Sequence, residues 1–155
     1  MSEELVQANH EILLVEDNPA DVRLVTEVLS DPSINITVAE DGEEALTVLK
    51  GDSGNKPLWP DLILLDLNMP KMDGLEVLAE IKKDPQLRVI PVVVMTTSER
   101  EQDIVKSYDL QASGYIRKPM DLIEFMDLIK AVRDYWLKFT TSPMGYLREG
   151  SKLEE

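Results

Sequence analysis

Short aliphatic runs alternate along the chain with segments whose apolar residues recur every three to four positions. Runs of four to six residues bounded by turn-forming residues are typical of strands, and the longer periodic segments are typical of helices. The predicted strands are residues 12–15, 34–39, 62–65, 90–95 and 114–117. Because most of these runs are nearly continuously aliphatic, we expect a parallel sheet that is buried on both faces.

A segment with helical periodicity follows each predicted strand. Asn18-Pro19 supplies an N-cap and a proline at the start of the first helix, and Asp31-Pro32 ends that segment. The predicted helices begin near residues 20, 41, 73, 98 and 121. This alternation of strands and helices indicates the α/β class, with a doubly wound five-stranded parallel sheet covered by helices on both faces.

The domain organisation follows from the extent of these units. A chain of 155 residues has the usual size of one domain, and we predict that this domain spans residues 11–139. Residues 1–10 are predicted to be an N-terminal extension, and residues 140–155 a C-terminal tail that is partly disordered. Residues 51–60 are rich in turn-forming types and are predicted to be an exposed loop.

Composition and charge exclude several classes of function. The 30 acidic residues outnumber the 16 basic ones and give a net charge of −14, so we expect no binding to nucleic acid. No apolar run approaches the roughly 18 residues of a membrane span, and the first residues lack a signal-peptide pattern, so we expect a cytoplasmic protein without membrane contact. The absence of cysteine excludes thiol chemistry, and a single histidine disfavours Ser-His hydrolase chemistry.

Charged and hydroxyl side chains stand directly after the predicted strands, at Glu16, Asp17, Asp66, Thr96 and Lys118. The carboxyl ends of the strands are where ligands bind in open α/β sheets, so we expect these side chains to form one site. Three carboxylates close together repel one another unless a cation neutralises them. Magnesium fits best, because it takes oxygen ligands and leaves room for phosphate oxygens.

The same residues carry a family resemblance. The sequence resembles the receiver domain of two-component response regulators. The residues that carry this resemblance are Glu16-Asp17, Asp66 within DLNMPKMDG, Thr96 within VVVMTTS, and Tyr115 with Lys118-Pro119 within YIRKP. The resemblance covers residues 11–139 and implies the fold of the chemotaxis regulator, with strand order 2-1-3-4-5. A closer resemblance is to stand-alone regulators associated with bacterial phytochrome histidine kinases. It is carried by the loop at residues 51–60, the TTS and SYDL segments and the aromatic end of the last helix.

The resemblance implies a role for each site residue. A histidine kinase would donate a phosphoryl group to Asp66, and the ammonium of Lys118 would neutralise the oxygens of that group. The implied magnesium ligands are Asp17, Asp66, the backbone carbonyl of Asn68 and, through water, Glu16. The implied switch residues are Thr96 and Tyr115, and Pro119 is expected to follow a cis peptide bond.

The resemblance also implies the partners. Such a protein is a phosphoacceptor and no turnover enzyme, since it catalyses only its own phosphorylation and dephosphorylation. Its output is expected to come from a downstream protein, a relay phosphotransferase or a homodimer formed by the aromatic patch at Tyr135, Trp136 and Phe139. Kinase docking is expected on the first helix, residues 19–29.

Three other classes of protein can be compared with this sequence. A flavin or nucleotide-binding enzyme would favour a glycine- or hydroxyl-rich first loop, whereas this loop is EDNPAD. A phosphatase would place its aspartate after the first strand in a DxDx pattern, which this chain lacks. A degenerate receiver that only binds protein would lack part of the site, whereas this chain has the complete set. Taken singly, Asn18, Asp73 and Ser98 are best interpreted as helix N-caps.

Overall fold

The computed structural model describes residues 9–52 and 54–148, and its centre is a five-stranded parallel sheet. The strands are β1 (His10–Val15), β2 (Ile34–Ala39), β3 (Leu62–Leu65), β4 (Val92–Thr96) and β5 (Gly114–Arg117). They lie in the order β2-β1-β3-β4-β5, and every neighbouring pair is parallel. The predicted fold class and the strand order implied by the resemblance are therefore confirmed.

The strands are connected by helices. These are α1 (Pro19–Val28), α2 (Gly42–Lys50), α3 (Gly74–Lys83), α4 (Glu101–Asp109) and α5 (Leu122–Arg133), followed by a π-helix (Asp134–Phe139) and α6 (Met144–Arg148). Asn18 caps α1, and Asp73 forms a capping box with Glu76 at the start of α3. The expectation for Ser98 was wrong, because Arg100 occupies the N-cap position of α4 and makes no side-chain capping bond.

The core lies on both faces of the sheet. In β1, Leu13 and Val15 pack against one layer with α2 and α3, while Ile12 and Leu14 pack against the other with α1 and α5. Strand β3 (Leu62–Leu65) alternates in the same way, and all four of its residues are buried. Burial on both faces is the physical reason for the continuous aliphatic runs in the sequence.

The C-terminal segment corrects the predicted domain boundary. Met144 is completely buried in the core layer that contains α2 and α3, and the hydroxyl of Ser142 donates a 2.6 Å hydrogen bond to Asp61. Residues 140–148 therefore belong to the folded domain, and the boundary at residue 139 was placed too early. The end of the predicted tail, residues 149–155, lies outside the described residues, as do residues 1–8 of the predicted extension.

Two further expectations concern the loop at residues 51–60 and the membrane. The loop at residues 51–60 is exposed over most of its described length, but Trp59 and Leu58 pack against the core. Within residues 9–52 and 54–148, the helices are too short or too polar to cross a membrane.

The burial of Met144 can be tested by substitution. We expect Met144→Ala to lower the free energy of unfolding by about 2–5 kcal/mol, because it removes buried apolar atoms and leaves a cavity. Tyr146→Ala on the same helix is the matched control, since that side chain is 61% exposed and its loss is expected to cost within about 0.5 kcal/mol. Urea unfolding measures both values, and equal effects of the two substitutions would contradict the packing of α6.

Candidate functional site

The sheet brings the predicted carboxylates together at the carboxyl ends of β1 and β3. Val15 pairs with Leu65 in the parallel register, so Glu16 and Asp66 follow on adjacent strands. One ligand oxygen from each of Glu16, Asp17 and Asp66 lies within 4.8 Å of the other two. Glu16 and Asp66 are buried and Asp17 is exposed, so the cluster opens to solvent on one side.

A close backbone approach supports the loop after Asp66. A Cβ atom on Gly74 would collide with the carbonyl oxygen of Asp66 and lie 2.6 Å from the Cα atom of Leu67. The N–H of Gly74 also donates a 3.1 Å hydrogen bond to the carbonyl of Leu67. The first residue of α3 therefore has to be glycine, which explains the Asp-Gly pair in the motif DLNMPKMDG.

Lys118 places its ammonium group within this acidic site. Its Nζ atom lies 2.6 Å from Oε1 of Glu16, 2.8 Å from Oδ2 of Asp21 and 4.0 Å from Oδ2 of Asp66. The sequence reasoning missed Asp21, which was visible only as the third acidic residue of EDNPAD. The lysine thus bonds firmly to two carboxylates and lies beside the third.

The predicted cis bond before Pro119 is not found, because all peptide bonds of the described residues are trans. Trans is the lower-energy isomer even before proline. In this arrangement the backbone N–H of Lys118 donates a 2.7 Å hydrogen bond to the carbonyl of Thr96, and its side chain reaches Glu16 and Asp21. The lysine therefore reaches the site from a trans backbone.

Burial and neighbouring charges shift the pKa values of the central pair. Burial is the main cause that raises the pKa of Glu16 to about 7, and the charge of Asp66 adds to it, while the hydrogen bond from Lys118 opposes it. Burial acts to lower the pKa of Lys118, but the hydrogen bonds to Asp21 and Glu16 outweigh it and hold this pKa above its usual value. The ammonium of Lys118 therefore stays positively charged at neutral pH. The acidic cluster favours a bound cation as a second positive charge.

A chain of hydrogen bonds connects Thr96 to Tyr115. Thr96 is fully buried, and its hydroxyl oxygen accepts a bond of 3.2 Å from the side-chain amide of Asn68 and one of 3.3 Å from the backbone N–H of Ser98. The hydroxyl of Tyr115 donates a 3.0 Å bond to the carbonyl of Ser98. The hydroxyl of Ser98 in turn donates a 2.6 Å bond to the buried carboxylate of Asp103 in α4. Ser98, which the sequence reasoning treated as a helix cap, therefore joins three elements.

The arrangement defines a class of protein. A parallel sheet in this order, with carboxylates after β1 and β3, threonine at the end of β4 and lysine after β5, is that of a response regulator receiver. The family model of the response regulator receiver domain matches residues 12–130, and the chain belongs to this family.

Particular relatives support the closer resemblance. The response regulator Rcp1 of Synechocystis sp. is 46% identical over 136 residues, which cover 85% of this chain and 92% of that protein. The crystal structure of the phosphorylated cyanobacterial phytochrome response regulator RcpA has a TM-score of 0.83 at 47% identity and covers 88% of this chain and 99% of that one. The Mn²⁺-bound form of Rcp1 has a TM-score of 0.81 at 45% identity, with 86% and 99% covered. The resemblance to phytochrome-associated regulators is thus confirmed.

The raised pKa of Glu16 predicts a pH-dependent stability. Between pH 4.5, the ordinary pKa of a glutamate, and about pH 7, the unfolded chain has released the Glu16 proton while the folded protein retains it. The free energy of unfolding therefore falls as the pH rises through this range. Above about pH 7, Glu16 is ionised in both the folded and the unfolded state, and the stability falls no further. In magnesium-free buffer we expect the free energy of unfolding of Glu16→Gln to rise relative to the parent by about 3 kcal/mol across this window. Urea titrations at several pH values measure this difference, and a difference that is independent of pH would contradict the assignment.

Proposed function

We propose that this protein is a single-domain response regulator that accepts a phosphoryl group from a histidine kinase on Asp66 in a magnesium-dependent reaction. The observation that carries the proposal is the position of Asp66, which follows β3 and lies beside both the carboxylates that follow β1 and the ammonium of Lys118. A carboxylate that adjoins both a cation site and a fixed ammonium is suited to accept a phosphoryl group.

The proposed reaction is a transfer between two nucleophiles. An oxygen of the Asp66 carboxylate attacks the phosphorus of a phosphohistidine and forms the P–O bond of an acyl phosphate. The P–N bond breaks, and its electron pair remains on the imidazole nitrogen of the kinase. Burial of Asp66 and its position directly after a strand fix the direction of the attacking oxygen.

The donor set fits a hard divalent cation. The proposed ligands of magnesium are carboxylate oxygens of Asp17 and Asp66, the backbone carbonyl of Asn68 and, through water, Glu16. When bound, magnesium would neutralise the cluster and the oxygens of the incoming phosphoryl group. The Mn²⁺-bound form of the relative Rcp1 supports this assignment.

Thr96 and Tyr115 are the proposed switch. The oxygen of the Thr96 hydroxyl accepts bonds from Asn68 and Ser98, so its proton remains available for an oxygen of the phosphoryl group. A movement of Thr96 toward that oxygen would pull Ser98, whose carbonyl holds the hydroxyl of Tyr115. The event on Asp66 would thereby reach the surface of α4 and β5, where a downstream protein or relay phosphotransferase binds.

A groove beside the site is suited to kinase docking on α1. It is lined by Pro19, Arg23 and Leu24 of α1 and by Met120 and Leu122 near the start of α5. Met120 and Leu122 are both exposed, and neighbouring exposed apolar side chains beside a groove are typical of a protein interface. The homodimer remains a prediction, supported by the exposure of Tyr135 and Phe139 on the π-helix.

Phosphorylation of Asp66 is tested first with a small donor. We expect acetyl phosphate with magnesium to add one phosphoryl group to the protein, and Asp66→Asn to gain none, because the amide is a poor nucleophile. Intact-mass spectrometry after rapid quenching measures the product. Omission of magnesium is the matched control and should abolish most of the gain. A parent protein that gains no mass, or a variant that gains as much as the parent, would contradict the proposal and favour a degenerate receiver.

The docking surface is tested by comparing two phosphoryl donors. We expect the double variant Arg23→Ala, Met120→Ala to accept phosphoryl groups from a phosphorylated phytochrome-type histidine kinase about tenfold more slowly, because it loses exposed interface contacts. Transfer from acetyl phosphate should be unchanged, and Tyr146→Ala, an exposed side chain on α6, is the matched surface control. Radiolabel transfer measures both rates, and an equal loss with both donors would refute docking at this groove.

A further inference from the structure

Lys118 has more partners than the proposed transfer requires. Its ammonium bonds to Glu16, which belongs to the acidic cluster, and to Asp21, which does not. Asp21 and Lys118 are 97 residues apart in the sequence, so their 2.8 Å contact is made only by the fold. The lysine side chain is 7% exposed and that of Asp21 is 23% exposed, so this ion pair is shielded from most of the solvent.

The number of donors on an ammonium gives this contact its meaning. A lysine ammonium has three N–H donors and no acceptor. Two of them have short bonds, to Glu16 and Asp21, while the oxygen of Asp66 at 4.0 Å is too distant for a hydrogen bond. One donor is therefore left for an oxygen that extends outward from Asp66, which is where a phosphoryl oxygen would stand.

Asp21 is itself held firmly in place. It lies in the first turn of α1, and its backbone N–H donates a 3.1 Å bond to the side chain of the N-cap residue Asn18. A capped helix end is a rigid support for a side chain, whereas Lys118 has four rotatable bonds. The carboxylate of Asp21 therefore restricts the ammonium more than the ammonium restricts the carboxylate.

We propose that Asp21 is a positioning residue, which together with Glu16 fixes the Lys118 ammonium so that its third N–H faces the phosphoryl group on Asp66. The proposal rests on the proposed function and extends it to a residue outside the metal cluster. A lysine without this support keeps its charge but loses its orientation, and misplacement of a charged group lowers the rate of a transfer that depends on positioning.

Two other roles of Asp21 predict different results. A negative charge in the first turn also stabilises α1 through the helix dipole, and this effect does not depend on Lys118. An additional carboxylate near the site would also repel an incoming phosphate, so its removal would accelerate the transfer. A double-mutant cycle between Asp21 and Lys118 separates these roles from positioning.

The test measures phosphorylation by acetyl phosphate with magnesium in the parent protein, Asp21→Ala, Lys118→Met and the double variant. We expect Asp21→Ala to lower the rate constant about tenfold in the parent and less than about twofold when Lys118 is absent. Asp21→Asn, which retains an oxygen acceptor without the charge, should restore part of the rate. Glu43→Ala, which removes an exposed carboxylate from the first turn of α2, is the matched control and should leave the rate unchanged.

A second readout needs neither magnesium nor phosphoryl transfer. Acetic anhydride labelling followed by peptide mass spectrometry reports how well the Lys118 amine is protected in the metal-free protein. We expect Asp21→Ala to raise the labelling of Lys118 severalfold, while Lys83, whose side chain is 70% exposed, is labelled equally in both proteins.

The possible results are distinct. Equal slowing by Asp21→Ala with and without Lys118, an acceleration, or unchanged labelling of Lys118 would overturn the positioning role while leaving phosphorylation of Asp66 intact. A parent protein that accepts no phosphoryl group would overturn the proposed function and, with it, any role of Asp21 in the transfer. Coupling in the cycle together with increased labelling supports the proposal.

Discussion

The ion pair between Glu16 and Lys118 is the interaction on which the site depends. Glu16 and Asp66 are both buried at the ends of adjacent strands, and burial of like charges side by side is unfavourable. A buried charge that loses its partner typically costs about 3–5 kcal/mol, so the ammonium of Lys118 cannot be separated from the carboxylates without loss of stability. Burial is the main cause that raises the pKa of Glu16, the charge of Asp66 adds to it, and the ammonium of Lys118 opposes both without cancelling them. The remaining deficit is the physical reason that the cluster favours a divalent cation.

The buried sheet holds this unfavourable arrangement of like charges in place. Strands β1 and β3 are buried on both faces by two apolar layers, which hold the backbone of the site in one register. The close approach of Gly74 to the loop after Asp66 fixes that loop from the side of α3. The folded C-terminal segment adds Met144 to the layer beneath α2 and α3, so the end of the chain contributes to the same core. Rigidity at the centre thus keeps like charges close together.

Much of the site could be predicted because parallel strands end at one edge. Asp66 and Thr96 stand at the ends of aliphatic runs and Lys118 directly follows the short strand β5, and the topology brings these strand ends to one edge. Asp21 could not be found in this way, because an acid in the first turn of a helix has a sufficient local explanation. Met144 was missed for a similar reason, since the segment that contains it is too short to show the periodicity of a core helix. The cis bond before Pro119 came from the family resemblance alone, and no physical signal in the sequence required it.

The size of the proposed switch can be compared with the bonds available to drive it. A hydrogen bond to a charged group contributes about 1.5–3 kcal/mol, whereas moving a two-state equilibrium from 1:99 to 99:1 requires about 5.5 kcal/mol. A bond from Thr96 to a phosphoryl oxygen would therefore leave the switch incomplete. Lys118 is the other donor at the site, and its backbone N–H is bonded to the carbonyl of Thr96, so the two groups are mechanically connected. A complete form of the proposed switch would therefore require both donors, or the additional binding energy of a partner that selects the active state.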